Sequence, residues 1–260
     1  MRATQSVDRF ADALEALADA GRPLGVTELA DHLGVHKATI SRLMATMERR
    51  GLVRRSATGY SLGPALARLA ATAVAELELV TLSRPVLKDL VEVTGEAAYL
   101  SVPYRGAVLY VEQVTPQGGV VPNDWTGRLG HLHCSSSGKV FAAFGAVDDL
   151  DARLTRPLPT LASRTITDPD EFRRLLPLIR RRGYASSADE SETGSTSVAA
   201  PVIGSRGEVL AAIGVGTSTA RCTQHRLSQL GVAAQASAAT LARRLGPVHA
   251  VVTPSSSEGR

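Results

Sequence analysis

The segment Val26–Gly63, VTELADHLGVHKATISRLMATMERRGLVRRSATGYSLG, decides how the rest of the chain is read. It opens on a short helical pattern in which Thr27 is placed to cap, Leu29, Ala30 and Leu33 form an apolar stripe, and Gly34 is the stop. A second helix is expected from near His36. Its residues Ile40, Leu43, Met44 and Met47 recur at i, i+3, i+4 and i+7 and therefore share one face. The opposite face carries Thr39, Arg42, Thr46 and Arg49, with Lys37 and Ser41 near the start.

Two short helices joined by a Gly-containing turn, the second apolar inside and basic outside, form a helix-turn-helix. Such a helix fits the major groove of DNA, where Arg and Lys read guanine edges and Ser and Thr reach bases or phosphates. Taken alone, the pattern is also that of an ordinary amphipathic helix with solvated arginines. The continuation GLVRRSATGYSLG argues otherwise. It reads as strands over 52–55 and 60–62 closed by a turn containing Gly59. Arg54 and Arg55 precede that turn and Thr58 lies in it, where a β-wing rests on the phosphate backbone. A helix-turn-helix followed by a basic hairpin is a winged helix.

On the N-terminal side, Val7, Phe10, Ala11, Leu14, Leu17 and Ala18 repeat at helical spacing behind Ser6 as a cap, and Gly21 ends the run. On the C-terminal side, Pro64 suits a first helical turn. Leu66, Leu69, Ala70, Ala73, Val74 and Leu77 continue the stripe to about Val80. That helix is either core or a surface that pairs with its copy.

The whole chain has 260 residues, enough for two domains or one large one. Aromatic residues make up only 4%, so Ala, Leu and Val must build most of the core. The net charge is +4, but Lys37, Arg42, Arg49, Arg50, Arg54 and Arg55 face the single acid Glu48 between 36 and 55, which leaves the remainder close to neutral. A local basic block points to a polyanionic partner. Cys134 and Cys222 show no CxxC or Cys/His spacing, so no metal site and no cofactor are expected. The N-terminus lacks an apolar signal core, and no run approaches the roughly 18 apolar residues that span a bilayer. The expectation is a cytoplasmic chain with reduced thiols and no membrane partner.

From Leu82 the pattern becomes α+β. A helix precedes Gly95, and strands over 97–102 and 108–114 flank PYRGA. In TDPDEF, Asp168 caps a helix whose first residue is Pro169 and whose stop is Gly183. Strands follow over 197–202 and 209–217. A last helix runs from about Thr223 to Leu245, with Leu227, Leu230, Ala234, Leu241 and Leu245 inward.

His133–Lys139, HCSSSGK, is the most chemically suggestive run. A phosphate-binding loop needs Gly at the position of His133 and Ser or Thr at that of Val140, so that reading fails. A Cys or Ser nucleophile needs a base and an orienting acid. His131 and His133 specify no triad and no GxSxG elbow occurs, so no catalytic residue is expected; a hydrolase using Cys134 stays as an alternative. The remaining reading is a binding wall, in which small residues leading into a helix at Gly138 present hydroxyls and open N–H groups to a polar ligand.

GRPLGVTELADHLGVHKATISRLMATMERRGLVRR…GYSLG resembles the DNA-binding domain of the IclR family of bacterial transcription regulators. LHCSSSGKVFAAF, RRRGYASSADESETGSTSVAAPV and GEVLAAIGVGT resemble that family's effector-binding domain, so the likeness runs to about Gly246. Where His36 stands, the family more often has a small residue or Pro. The resemblance implies an α+β protein: a winged helix-turn-helix domain at 1–63, a linker helix at 64–80, an α/β effector-binding domain with a mainly antiparallel sheet at 81–246, and a disordered tail at 247–260. It implies a (pseudo)palindromic double-stranded DNA operator, bound as a homodimer or tetramer, with affinity set by a small organic effector, a carboxylate in many members. Lys37, Thr39, Ser41, Arg42, Thr46 and Arg49 are then the groove contacts, and Arg54, Arg55 and Thr58 the wing contacts. Ser136 and Ser137 match the ligand-contacting loop, with Cys134 and Ser135 beside them. Ser187 stands where the family is usually acidic, Ser197 where it often has Cys, and Gly214 and Gly216 where some members use Ser. Asp189 lies near Ser187, and Trp125 is placed to close over a ligand. These departures remove one charge and two hydroxyls, which suggests a roomier pocket for a larger or less polar metabolite. A nonspecific DNA-binding protein is the rival reading.

Overall fold

The computed structural model describes residues 5–76, 78–117, 124–154 and 157–246, and the chain divides into two units between Leu77 and Glu78. The first unit runs α1 (Gln5–Ala20), α2 (Val26–Leu33), α3 (Lys37–Arg49), β1 (Val53–Ser56), β2 (Gly59–Leu62) and α4 (Pro64–Glu76). Its core takes Ala13, Ala16 and Leu17 from α1, Leu29 and Ala30 from α2, Ile40, Met44 and Met47 from α3, and Val53 and Tyr60 from the hairpin. The apolar face read from the sequence is thus the buried face, with Leu43 packed at its margin. Gly34 sits in the left-handed region at φ 63°, which lets the chain leave α2 and turn into α3.

Both N-caps expected in this unit are corrected. The helix α1 is already formed at Gln5, so Ser6 lies inside it. In α2 the cap is Gly25: Glu28 accepts the Gly25 N–H at 3.2 Å and pairs with Arg22 at 2.6 Å, leaving Thr27 exposed in the first turn. The carboxylate reaching back from the first turn satisfies the N–H of the cap residue itself, while Gly25, without a side chain, caps none of the first-turn N–H groups.

The hairpin pairs Val53 with Leu62 through Ser56 with Gly59, so the turn itself is Ala57–Thr58. The hairpin is also tied to the helices. Leu24 and Tyr60 exchange both backbone hydrogen bonds at 2.9 Å, which fixes the wing to the segment between α1 and α2. Gly59 makes this approach possible, because it holds φ 141° and a Cβ there would lie 2.4 Å from the Leu24 carbonyl oxygen.

The second unit begins with α5 (Glu78–Thr94) and ends with α9 (Gln224–Leu245). Between them lie β3 (Ala97–Tyr104), β4 (Ala107–Val114), β5 (Leu129–Gly130), α6 (Ser136–Ala143), α7 (Leu150–Arg153), α8 (Pro169–Arg182), β6 (Ala185–Ala188), β7 (Ser195–Ile203) and β8 (Val209–Ser218). The sheet order is β5-β4-β3-β8-β7-β6, antiparallel throughout. The helices α5 and α9 pack on one face and α6 on the other, with α8 outside α6. Because successive residues point to opposite faces, Tyr99, Ala199 and Ala212 join Phe141, Phe172 and Leu176 on the α6 side, while Leu100, Val198 and Ile213 are buried on the α5/α9 side.

The helix expected over 64–80 ends at Glu76, and Val80 is a buried residue of α5 in the second unit. The expected disordered tail at 247–260 lies outside the described residues. Among the described residues no helix is long and apolar enough to cross a membrane.

Gly59→Ala is expected to destabilise the first unit by at least about 2 kcal/mol, through the strained φ and the loss of the Leu24–Tyr60 bridge. Chemical denaturation followed by the circular dichroism of this unit checks it; a change under about 0.5 kcal/mol, typical of a surface site, contradicts it.

Candidate functional site

His36 is the extended N-cap of α3, and beyond it Lys37, Ser41, Arg42, Thr46 and Arg49 are exposed while Thr39 is half-buried. Arg54, Arg55 and Thr58 are exposed on the wing. Thr46 donates to the Arg42 carbonyl at 3.0 Å and accepts from Arg49 at 3.4 Å, so its hydroxyl is drawn back onto the helix. Arg54 donates to Ser61 Oγ at 3.0 Å, and the Arg55 guanidinium lies 5.8 Å from the Tyr60 ring centroid. Among the described residues neither Lys37 nor Arg42 meets a carboxylate, so both are available to an external anion. The surface is a cationic, hydroxyl-bearing helix face beside a cationic hairpin, which is the chemistry that binds a duplex.

The second cluster lies on the α6 side of the large sheet. Ser187, Ser197, Gly216 and Ala97 form one lateral row across β6, β7, β8 and β3. Ala185, Ala199, Gly214 and Tyr99 form the next row on the same face. The start of α6 lies over these rows. Ser136 Oγ is 3.0 Å from the Tyr99 hydroxyl and 2.9 Å from Ser197 Oγ; Ser101 donates to Ser137 Oγ at 2.8 Å; Ser187 donates to the Cys134 carbonyl at 2.6 Å. The structure therefore brings together Ser136, Ser137, Ser187 and Ser197.

Two expectations are corrected here, and a third residue is placed. The helix begins at Ser136 rather than Gly138, and Ser135 accepts the Gly138 N–H at 3.0 Å, so the helix start presents fewer open donors than its sequence promised. Gly214 does not enlarge the pocket: a Cβ there would lie 2.3 Å from the Tyr99 ring and 2.6 Å from its hydroxyl. The space left by the missing hydroxymethyl is filled by a phenol. Asp189 lies outside the cluster's hydrogen bonds, since its carboxylate accepts the Gly194 N–H at 2.6 Å and the Thr219 hydroxyl at 3.0 Å and so holds a turn.

Trp125 is half-buried and packs on Tyr110 at 5.4 Å, which in turn meets Tyr99 edge to face at 5.2 Å. Tyr99, Ser101 and Tyr110 were missed from the sequence. The alternation in β3 puts 99 and 101 on one face, but only the sheet order shows that this face meets the serine loop.

Cys134 is fully buried, and burial, reinforced by the charge of Glu190, pushes its thiol up to about 12. Burial lowers the His133 pKa, and its Nε2 donates to the Pro159 carbonyl at 2.9 Å. One nitrogen of the neighbouring imidazole is thus committed to a backbone carbonyl, and a buried, protonated thiol does not favour the hydrolase alternative. Lys139 is a tether: its buried ammonium bonds Glu190 at 2.6 Å and the Ser186 carbonyl at 3.0 Å, joining α6 to the β6 region. Burial pulls Lys139 down and pushes Glu190 up, each opposed by the other's charge. Among the described residues no three His, Cys, Asp or Glu side chains gather as a metal site requires.

Residues 6–57 match the family profile described as the IclR helix-turn-helix domain, and residues 71–243 match the one described as the bacterial transcriptional regulator IclR C-terminal domain. The chain is 32% identical over 249 residues to the glycerol operon regulatory protein of Streptomyces coelicolor, covering 94% of this chain and 98% of that one. It is 31% identical to the HTH-type transcriptional regulator BhcR of Paracoccus denitrificans, covering 94% and 88%. Among solved structures, an IclR transcriptional regulator from Alicyclobacillus acidocaldarius superposes with a TM-score of 0.81 at 29% identity, covering 93% and 99% of the two chains. A homologue from Microbacterium hydrocarbonoxydans, solved in complex with 4-hydroxybenzoate, has a TM-score of 0.74 at 24% identity, covering 92% and 99%.

Iodoacetamide at pH 8 is expected to modify Cys222 and to spare Cys134, of which roughly one molecule in ten thousand is thiolate at that pH. Peptide mapping of native and unfolded samples reads the result. Fast native labelling of Cys134 would return the nucleophile to consideration.

Proposed function

The chain belongs to the IclR family of bacterial transcriptional regulators, and we propose that it binds a (pseudo)palindromic operator as a homodimer or tetramer. The observation that carries this reading is α3, whose Ile40, Met44 and Met47 are buried while Lys37, Ser41 and Arg42 face solvent. In the proposal this face enters the major groove with Thr39, Thr46 and Arg49, and Arg54, Arg55 and Thr58 rest on phosphates. One winged helix reads one half-site; two copies related by a twofold axis read a palindrome. The exposed Leu69 on α4 suits a linker helix that pairs with its copy.

The second unit is proposed to take a small organic effector at Ser136, Ser137, Ser187 and Ser197, beneath Trp125 and beside Gly214 and Gly216. The homologue solved with 4-hydroxybenzoate supports an organic ligand in this fold. Effector binding would alter operator affinity by favouring one arrangement of the two DNA-binding units over another.

Selection from a random duplex pool is expected to return a palindrome. Against it, Arg42→Ala should weaken binding about 10- to 100-fold while affecting random DNA less, as loss of a base contact does. Arg54→Ala and Arg55→Ala should weaken both and lower the salt slope by about one each. No enriched sequence, with parallel losses on both DNAs, would favour nonspecific binding.

A further inference from the structure

Two hydroxyls of the candidate effector site, Ser136 directly and Ser197 through it, engage a side chain of the chain itself. Tyr99 is 6% exposed, and its hydroxyl donates to the Val198 carbonyl at 3.3 Å, which leaves it to accept from Ser136 at 3.0 Å. Ser136 is 2.9 Å from Ser197, so the phenol engages the polar groups proposed to hold a ligand. Room for its ring exists because residue 214 is Gly, where a Cβ would collide with three of its atoms, Cε2, Cζ and the hydroxyl oxygen, at 2.3 to 2.6 Å. A Cβ at Gly216 would lie 3.8 Å from Cε1 on the other edge of the ring, an ordinary contact. Tyr110 closes the far side edge to face.

We propose that Tyr99 is the resident occupant of the effector pocket and its specificity-determining residue: a ligand enters by taking the place of the phenol. This rests on the reading of the second unit as an effector-binding domain. The class of ligand follows from the groups that meet the hydroxyl. Val198 offers a carbonyl, which only accepts, and Ser136 has a hydrogen left to give. A neutral hydroxyl satisfies both; a carboxylate cannot donate to the carbonyl. Among the described residues these groups bond to neutral partners, and Lys139 is engaged by Glu190 and Ser186. The site therefore suits a neutral, hydroxyl-bearing ring of phenol size.

The test uses the full chain carrying Tyr99→Ala, with p-cresol, the free equivalent of the deleted side chain, as the probe. Thermal shift and calorimetric titration measure p-cresol binding, and operator affinity is measured with and without it. Saturable binding to Tyr99→Ala is expected, at least about tenfold tighter than to wild type, where p-cresol must displace the resident phenol. Operator affinity should move by at least about fivefold in the variant and return to the wild-type value with p-cresol. A folded variant that ignores p-cresol, or one that binds it while operator affinity stays at the wild-type value throughout, overturns the proposal and leaves Tyr99 as core filler. If the Ala variant does not fold, Tyr99→Phe keeps the ring and removes the hydroxyl from Ser136 and Val198; operator affinity displaced from wild type supports the proposal and unchanged affinity overturns it. Should wild type bind no duplex, the regulator reading fails by itself, and the pocket claim is read from wild type: weaker but saturable p-cresol binding there, with tighter binding to Tyr99→Ala, supports a displaceable phenol, and binding confined to the variant overturns it.

Discussion

Burial of Ile40, Met44 and Met47 against Leu17 and Leu29 fixes the rotation of α3 about its own axis. Each of these side chains contributes roughly 1.5–3 kcal/mol on leaving water. Turning the helix by half a revolution would forfeit that and carry Arg42 into the core, where an unpaired charge costs several kcal/mol more. Both effects act in the same direction, so Lys37, Ser41, Arg42 and Thr46 have one orientation available. The Leu24–Tyr60 bridge then holds the wing on the same small body. The cationic surface is a consequence of apolar packing, with no charge needed to position it.

The second unit shows the same dependence of polar groups on packing. Its neighbouring strands β7 and β8 are rich in Ala, Val and Gly, which lets α6 approach the sheet closely enough for Ser136 and Ser137 to bond Ser197 and Ser101. Gly138 takes part, since a Cβ there would lie 2.5 Å from Leu132 Cα. In that tight interface the space at Gly214 is filled by the Tyr99 ring. The buried Lys139–Glu190 pair ties α6 to the β6 region and keeps the serine loop in place.

What was legible in the sequence followed from local periodicity. The helix-turn-helix repeats its apolar residues every three to four positions and is punctuated by Gly34, so α2, α3 and their buried faces were readable at once. Long-range pairings carry no such signal. Nothing in RPLG announces a bridge to Tyr60, and the reach of Glu28 back to Gly25 competed with a more familiar Thr cap at 27. The strand β6, ASSA, has no apolar alternation, and β5 is two residues long, so both were invisible. The candidate ligand site suffered most, because Tyr99 meets Gly214 only when β3 and β8, far apart in sequence, lie side by side. Reading Gly214 as added space was reasonable for one strand and wrong for the sheet.

The central claim is that the basic face of α3 lies in the major groove, and methylation of guanine N7 by dimethyl sulfate reports on that groove directly. With a selected duplex and the full chain, the account predicts protected guanines in two patches whose centres lie about 10 base pairs apart, or a multiple of that. A saturated complex in which every guanine N7 stays reactive would contradict it.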